Sequence, residues 1–220
     1  IDPSALSVSD TLHDPVAVAR SIDRVIAVEP ALALGPDERD PKAFFNSREP
    51  GFAGLIQIIL EQQVSVKAGQ AMWRKLTVAC PDFSHKAFLE LDDDVLKSCG
   101  FSRQKMVYAR GAATALDDGS LKLTELENAP EAEAMAALMA LKGIGRWTAE
   151  VYLLSCLGRM DIWPAGDLAL VLAVQHLEGM AEKPTLREMD VYGERFAGDR
   201  SVASLLTWHY YRRHLRPNAF

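Results

Sequence analysis

The chain lacks the features of secreted, membrane-spanning and disulfide-stabilised proteins. Its 220 residues include only three cysteines, an odd number at wide spacing, which argues against a disulfide framework and favours a reducing cytoplasm. No apolar run approaches the roughly 20 residues that a membrane-spanning helix needs. The N-terminus has neither the basic start nor the apolar block of a signal peptide. We therefore expect a cytoplasmic globular protein that does not bind membranes.

An excess of basic residues is also missing. The chain carries 24 lysines and arginines against 30 aspartates and glutamates, for a formal net charge of −6. Proteins that bind nucleic acid without specificity normally present a basic face. The overall charge therefore argues against such a protein, although a local basic surface that binds nucleic acid is compatible with it. The basic groups around residues 67–75, 103–110 and 142–146 can each equally be a solvated helix face.

The sequence also lacks the alternation of apolar and polar residues that is typical of β-strands. Helical periodicity recurs instead, beginning where Asp14 and Pro15 have the pattern of a helix start. The apolar stripe of this first helix consists of Val16, Ala19, Ile22, Val25 and Ile26. Further helices are predicted at residues 52–63, 66–79, 92–99, 102–116, 130–141, 145–157, 167–176, 185–196 and 200–214. The fold is expected to be mainly or wholly α-helical, with a lobe boundary in the loop-like stretch 35–51.

The most informative stretch is residues 141–150, Leu-Lys-Gly-Ile-Gly-Arg-Trp-Thr-Ala-Glu. Apolar helical faces lie on both sides of it, and Gly143 and Gly145 allow a tight turn and a close backbone approach. The first turn of the second helix then offers N–H groups at the positive end of the helix dipole, where a DNA phosphate can bind without any lysine. A bare Gly-x-Gly is explained equally well by an ordinary helical hairpin.

The extended string is more specific than its two glycines. Residues 141–149 resemble the helix-hairpin-helix motif of the DNA glycosylase superfamily called HhH-GPD, which combines this motif with a Gly/Pro-rich stretch and an aspartate. Here Trp-Pro-Ala-Gly precedes Asp167, which lies 20 positions after Trp147. Residues 60–65 resemble the family's DNA-penetrating loop, and residues 200–208 resemble its C-terminal helix. The likeness is strongest to the alkylation-repair branch, 3-methyladenine DNA glycosylase II.

This resemblance implies a two-lobed, all-α fold with an active-site cleft between the lobes. One lobe would contain residues 1–48 and 162–220, and the other residues 49–161 with the hairpin. The form would be the compact one, without the N-terminal β-domain of longer relatives. The implied protein is a bacterial-type, nucleoid-associated monomer that acts on double-stranded DNA with alkylated bases.

The resemblance also implies the site residues. Asp167 would be the catalytic carboxylate, stabilising the positive charge that builds on the sugar as the N-glycosidic bond breaks. The base pocket would be lined by Trp147, Trp208, Val151 and Leu168. Contacts with DNA would come from Gln63, Ser65, Lys142, Gly143, Ile144, Gly145, Arg146 and Thr148. Gln63 would fill the gap that the extruded nucleotide leaves. Asp167 is equally placed to cap a helix, and an arbitrary tryptophan is usually a core residue.

Trp147 stands where strand-nicking relatives carry a lysine, so the resemblance implies a monofunctional enzyme without lyase activity. Three cysteines cannot supply the four ligands of an iron–sulfur cluster, and no other cofactor is implied. A structural Na⁺ or K⁺ is implied at the hairpin, held by the backbone carbonyls of Met139, Leu141 and Ile144.

Two other functions remain open at this level. A non-catalytic helix-hairpin-helix module could recognise damaged DNA without cutting the bond, but such a protein has no need of a carboxylate facing DNA. A metabolic helical protein could use the motif for structure alone, and the net charge of −6 favours this third reading.

Overall fold

The computed structural model describes residues 11–35 and 47–216. Within these ranges the regular structure is entirely helical, which confirms the predicted fold class, and it comprises eleven α-helices and two 3₁₀ turns. The α-helices are α1 Pro15–Val28, α2 Phe52–Glu61, α3 Val66–Ala79, α4 His85–Glu90, α5 Asp93–Ser98, α6 Arg103–Asp117, α7 Glu131–Met139, α8 Arg146–Ser155, α9 Leu168–Leu177, α10 Leu186–Glu194 and α11 Arg200–His214. The 3₁₀ turns are Pro30–Leu32 and Leu123–Glu127.

The chain divides into two compact units. The middle unit is Arg48–Tyr152, and the terminal unit combines Ile1–Ser47 with Leu153–Ala219. The sequence predicts the second lobe boundary after residue 161, whereas the second change of unit falls inside α8. Most of the loop-like stretch 35–51 lies outside the described residues. None of the described helices is long and apolar enough to cross a membrane.

Helix α2 forms the centre of the middle unit. Its apolar residues are buried nearly all round the helix, as expected of a core helix rather than a surface one; they are Phe52, Leu55, Ile56, Ile58, Ile59 and Leu60. Helices α3 and α6 pack against it, and α4 packs against α6. The Phe88 ring of α4 meets the Phe52 ring edge-on at 5.5 Å between centroids. Helix α4 is not among the helices predicted from the sequence, since its six residues span fewer than two helical turns.

The predicted apolar stripe of α1 is wrong in detail. In α1 the buried residues are Ala17, Val18, Ser21, Ile22 and Val25, while Val16 is 63% exposed. Asp14 accepts the Val16 N–H at 2.9 Å, so Val16 belongs to the capped first turn and faces outward. In α3 only Gly69 and Leu76 are buried. A Cβ at Gly69 would lie 2.8 Å from the Glu61 Cγ, so glycine lets α2 and α3 approach closely.

The terminal unit packs α11 against both α1 and α9. Ser201, Ser204 and Thr207 are fully buried on α11 because their hydroxyls bond to backbone. Trp163, from the Gly/Pro-rich stretch, is also a core residue, and its indole N–H donates to the Met189 carbonyl at 2.8 Å. Gly193 makes room for it, since a Cβ there would lie 2.6 Å from the indole Cδ1. This anchored tryptophan fixes the start of the segment that leads to Asp167.

Candidate functional site

The connection between α2 and α3, residues 62–65, forms an exposed turn that we call the wedge loop. Gln63 adopts a φ of +57°, in the left-handed region that residues other than glycine seldom occupy. Such conformations persist only where the surrounding structure holds them in place, and they are most frequent at functional sites. The Ser65 hydroxyl accepts the Ala68 N–H at 3.3 Å and so caps α3. Gln63 and Ser65, both predicted to contact DNA, are exposed.

The hairpin, residues 142–145, connects α7 to α8. The Ile144 N–H donates to the Leu141 carbonyl at 3.1 Å and closes the turn. Gly143 has a φ of +88°, and a Cβ there would lie 2.1 Å from the Cγ of Tyr108. Position 143 therefore requires glycine for both its conformation and its contact with the Tyr108 ring. Gly145 is different, because a Cβ there would meet no atom within 4 Å.

The first turn of α8 follows directly and begins at Arg146. N–H groups of a first helical turn have no partners within the helix and carry the positive end of its dipole. This geometry suits an anion such as a phosphate. Of the two basic residues here, Lys142 is exposed, whereas the Arg146 Nε pairs with a Glu150 carboxylate oxygen at 2.7 Å. Any anion bound at the hairpin would therefore be held mainly by backbone N–H groups.

Thr148 points inward rather than toward solvent. It is 3% exposed, and its hydroxyl accepts a hydrogen bond from the Gln62 Nε2 at 3.0 Å. The same nitrogen donates to the Gly143 carbonyl at 3.1 Å. Any DNA contact by Thr148 therefore falls to its backbone. Gln62 is not among the residues predicted from the sequence, since nothing in the pair Gln62–Gln63 indicates which amide faces the protein and which faces solvent.

The predicted pocket residues of α8, Trp147 and Val151, lie one helical turn apart, a spacing that puts them on the same face. Trp147 is half-buried, and Val151 is 5% exposed. The accessible surface on this face therefore belongs to the Trp147 ring, whereas the Val151 side chain is buried.

Asp167 is the N-cap of α9 in the terminal unit. Its Oδ1 accepts the N–H groups of Ala169 at 2.9 Å and Leu170 at 3.2 Å. The indole N–H of Trp208, on α11, donates to the same oxygen at 2.9 Å. The capping role is thus present, together with a hydrogen bond from an aromatic residue that the sequence does not predict. Three donors on one oxygen hold the carboxylate in a single orientation.

The surroundings of Asp167 are partly open. Gly166 is exposed, Asp167 and Trp208 are half-buried, and Leu168 is 60% exposed. The Asp167 N–H donates to the Pro164 carbonyl at 2.8 Å, so a tight turn presents the carboxylate. A carboxylate fixed by backbone and indole donors at an accessible turn can stabilise positive charge on a bound molecule.

The predicted cation site consists of backbone carbonyls alone. The Leu141 carbonyl accepts one hydrogen bond, from Ile144, and a carbonyl oxygen has a second lone pair. Neutral oxygen ligands of this kind suit a hard cation, so the hairpin is compatible with the Na⁺ or K⁺ that remains a prediction. Among the described residues, no cluster of three His, Cys, Asp or Glu side chains is arranged to hold a metal ion.

Comparison with known proteins places this arrangement in a family. Residues 56–197 match the HhH-GPD superfamily, described as base excision DNA repair proteins. The chain belongs to this superfamily. It is 30% identical over 168 residues to the alkylbase DNA glycosidase-like protein mag2 of Schizosaccharomyces pombe, covering 74% of this chain and 79% of that protein. It is 27% identical over 172 residues to DNA-3-methyladenine glycosylase 1 of the same yeast, covering 76% and 75%.

Solved structures of the HhH-GPD type share the fold. The crystal structure of a DNA-3-methyladenine glycosidase from Bacillus halodurans matches with a TM-score of 0.69 and 26% identity, over 92% of this chain and 91% of that one. The Schizosaccharomyces pombe 3-methyladenine DNA glycosylase Mag1 in complex with abasic DNA matches with a TM-score of 0.73 and 22% identity, over 87% and 94%. The predicted HhH-GPD fold is therefore confirmed.

Proposed function

We propose that the chain is a monofunctional DNA glycosylase that hydrolyses the N-glycosidic bond of alkylated purines in base excision repair. The observation that carries this proposal is the Asp167 carboxylate, whose Oδ1 accepts three N–H donors at an accessible turn. The names of the relatives, alkylbase DNA glycosidase-like protein and DNA-3-methyladenine glycosylase, support the same class of substrate.

The proposed reaction begins with cleavage of the bond between the sugar C1′ and the base nitrogen. The bonding electrons leave with the base, and positive charge develops on the sugar as an oxocarbenium-like species. A carboxylate at about 4 Å from this charge contributes on the order of 4 kcal/mol at an effective dielectric near 20. That stabilisation corresponds to roughly a thousandfold in rate. Because Asp167 is already oriented, little reorganisation opposes the stabilisation.

Water completes the proposed reaction. Asp167 orients a water molecule that adds to C1′, and the proton of that water passes to the Asp167 carboxylate and on to solvent, which leaves an abasic site. Trp147 has no amine with which to form a Schiff base, so the strand is not nicked. The protein would act as a monomer on double-stranded DNA.

Access to the target base requires the nucleotide to leave the helical stack. Gln63, exposed in the wedge loop, would fill the gap, and the N–H groups of the hairpin would hold a neighbouring phosphate. The face of Trp208, beside Asp167, would receive the extruded base. An alkylated purine such as 3-methyladenine carries positive charge on its ring, and each cation–π contact contributes about 0.5–2 kcal/mol.

The decisive experiment measures base release from duplex DNA that contains 3-methyladenine or 7-methylguanine. The wild-type protein is expected to release free base and leave alkali-labile abasic sites. Asp167→Asn should lower the rate roughly a thousandfold and keep DNA affinity, since asparagine caps a helix about as well as aspartate.

The matched control is Asp14→Asn, which changes the N-cap of α1, whose side chain accepts the Val16 N–H at 2.9 Å. This control should release base at the wild-type rate. Full activity of Asp167→Asn would exclude the catalytic role of Asp167. Binding of damaged duplex without any release by the wild-type protein would instead favour a damaged-DNA-binding module.

A further inference from the structure

We propose that Gln62 is a positioning residue that couples the wedge loop to the hairpin, so that phosphate binding at the hairpin fixes the placement of Gln63. The inference rests on the proposed function. It starts from one amide nitrogen, the Gln62 Nε2, which donates to the Gly143 carbonyl at 3.1 Å and to the Thr148 hydroxyl at 3.0 Å.

The two acceptors belong to the two parts of the phosphate-binding element. Gly143 is in the turn itself, at a φ of +88°, and Thr148 is in the first turn of α8. An amide that bonds both fixes its own backbone relative to the hairpin. Gln63 is the next residue, at a φ of +57°. The contacts of Gln62 therefore fix the position of the backbone from which Gln63 projects.

Helix α6 fixes both ends of this connection. The Lys105 ammonium donates to the Leu60 carbonyl, at the C-terminal end of α2. The Tyr108 ring fills the space where a Cβ of residue 143 would lie. Lys105 and Tyr108 are three positions apart and share a helix face. Helix α6 therefore contacts both the end of α2 and the hairpin. Because both are held by one helix, the hydrogen bonds of Gln62 connect two segments whose relative position is already fixed.

This arrangement gives Gln62 a role that differs from merely supporting the fold. Loss of its two bonds leaves the hairpin and its N–H groups in place, held by Tyr108 and by the Ile144–Leu141 hydrogen bond. What is lost is the fixed start of the wedge loop. DNA affinity should then persist, while opening of a stacked base pair becomes less efficient.

The test compares Gln62→Met with the matched control Gln57→Met. Both glutamines have half-buried side chains on or beside α2, and the Gln57 Nε2 donates to the Glu61 carboxylate, at 3.3 Å. Base release is measured under single-turnover conditions for 7-methylguanine placed opposite cytosine and, separately, in a one-nucleotide bulge. The dissociation constant for undamaged duplex is measured in parallel.

For Gln62→Met we expect release from the paired lesion to fall about tenfold, the effect of losing two neutral hydrogen bonds. Release from the bulge should fall less than about twofold, because an unpaired base needs little help in leaving the stack. Gln57→Met should match wild type on both substrates. Equal losses on paired and bulged lesions, or no loss on either, would overturn the coupling role.

A second variant keeps the proposal testable if Gln62→Met does not fold. Thr148→Val retains the volume of the side chain and the Gln62–Gly143 bond but removes one acceptor. It should show a smaller loss, again selective for the paired lesion. In the double variant, the loss should be less than the product of the two single losses, because both substitutions break the same contact.

The readout also separates this inference from the proposed function. If the wild-type protein releases no alkylated base, the glycosylase proposal fails. The coupling is then measured by the fluorescence of 2-aminopurine beside an abasic-site analogue, which rises when the wedge loop unstacks it. Fluorescence that rises with wild type and not with Gln62→Met supports the coupling; equal fluorescence with both proteins contradicts it.

Discussion

Trp208 and Asp167 are joined by a hydrogen bond of 2.9 Å from the indole N–H to the carboxylate Oδ1. The carboxylate therefore has a side-chain donor as well as the two backbone N–H groups at the start of α9. The tryptophan that would stack against a base is also the residue that orients the proposed catalytic group.

Trp208→Phe should separate these two roles. Phenylalanine keeps an aromatic face and loses the N–H donor. A hydrogen bond to a charged group contributes about 1.5–3 kcal/mol, so we expect base release to slow by roughly tenfold to a hundredfold. Binding to alkylated duplex should change little. Single-turnover rates and dissociation constants measure the two quantities independently.

The control is Trp73→Phe, which changes another half-buried indole, packed on Phe83 at 4.7 Å between ring centroids. It should leave the rate of release unchanged. A Trp208→Phe protein with the wild-type rate would show that the indole donor is dispensable.

Gly143→Ala tests the packing of the hairpin. The substitution brings a Cβ to 2.1 Å from the Tyr108 Cγ and places alanine at a φ of +88°. Overpacking costs about 1–3 kcal/mol, and the left-handed conformation adds about 1–2 kcal/mol. We expect a lower midpoint of denaturant unfolding. Gly145→Ala is the control, since a Cβ there has no neighbour within 4 Å; if both variants unfold at the same denaturant concentration, the Tyr108 contact is not what requires glycine.

Because Trp147 has no amine, we expect that the protein does not nick the DNA strand. A strand-nicking glycosylase forms a Schiff base between an amine and C1′, which borohydride reduces to a stable adduct. Incubation of the wild-type protein with lesion-containing duplex and borohydride should give no covalent protein–DNA species on a denaturing gel. A parallel reaction without borohydride, treated with alkali, should show strand cleavage, which verifies that abasic sites were produced. A trapped adduct would mean that another amine acts as nucleophile.

If Lys142 contacts a DNA phosphate, it contributes to the salt dependence of DNA affinity. Each lysine–phosphate contact contributes about 0.9 to the slope of log affinity against log salt concentration. Lys142 is exposed in the hairpin, whereas Arg146 is paired with Glu150. The wild-type slope should be shallow, and Lys142→Ala should reduce it by about one. Lys122→Ala, which removes an exposed lysine paired with Glu125 at 2.9 Å, should leave the slope unchanged; equal slopes for all three proteins would remove Lys142 from the interface.

Most helices could be predicted from the sequence because their ends are set locally. Asp14, Ser65, Asp92 and Ser102 each accept a backbone N–H of the helix that follows, and α11 spans the residues predicted for it. Burial was harder to predict. The stripe predicted on α1 includes Val16, which is 63% exposed because it lies in the first turn capped by Asp14.

The sequence alone determined the helical composition, the hairpin glycines and the position of Asp167 at a helix start. Those features depend on residues a few positions apart, where backbone conformation and capping decide the structure. Only the tertiary structure decided that Trp208 bonds to Asp167, 41 positions away, and that Gln62 bonds to Thr148, 86 positions away. Such contacts depend on how whole helices pack, and the local sequence carries no record of that packing.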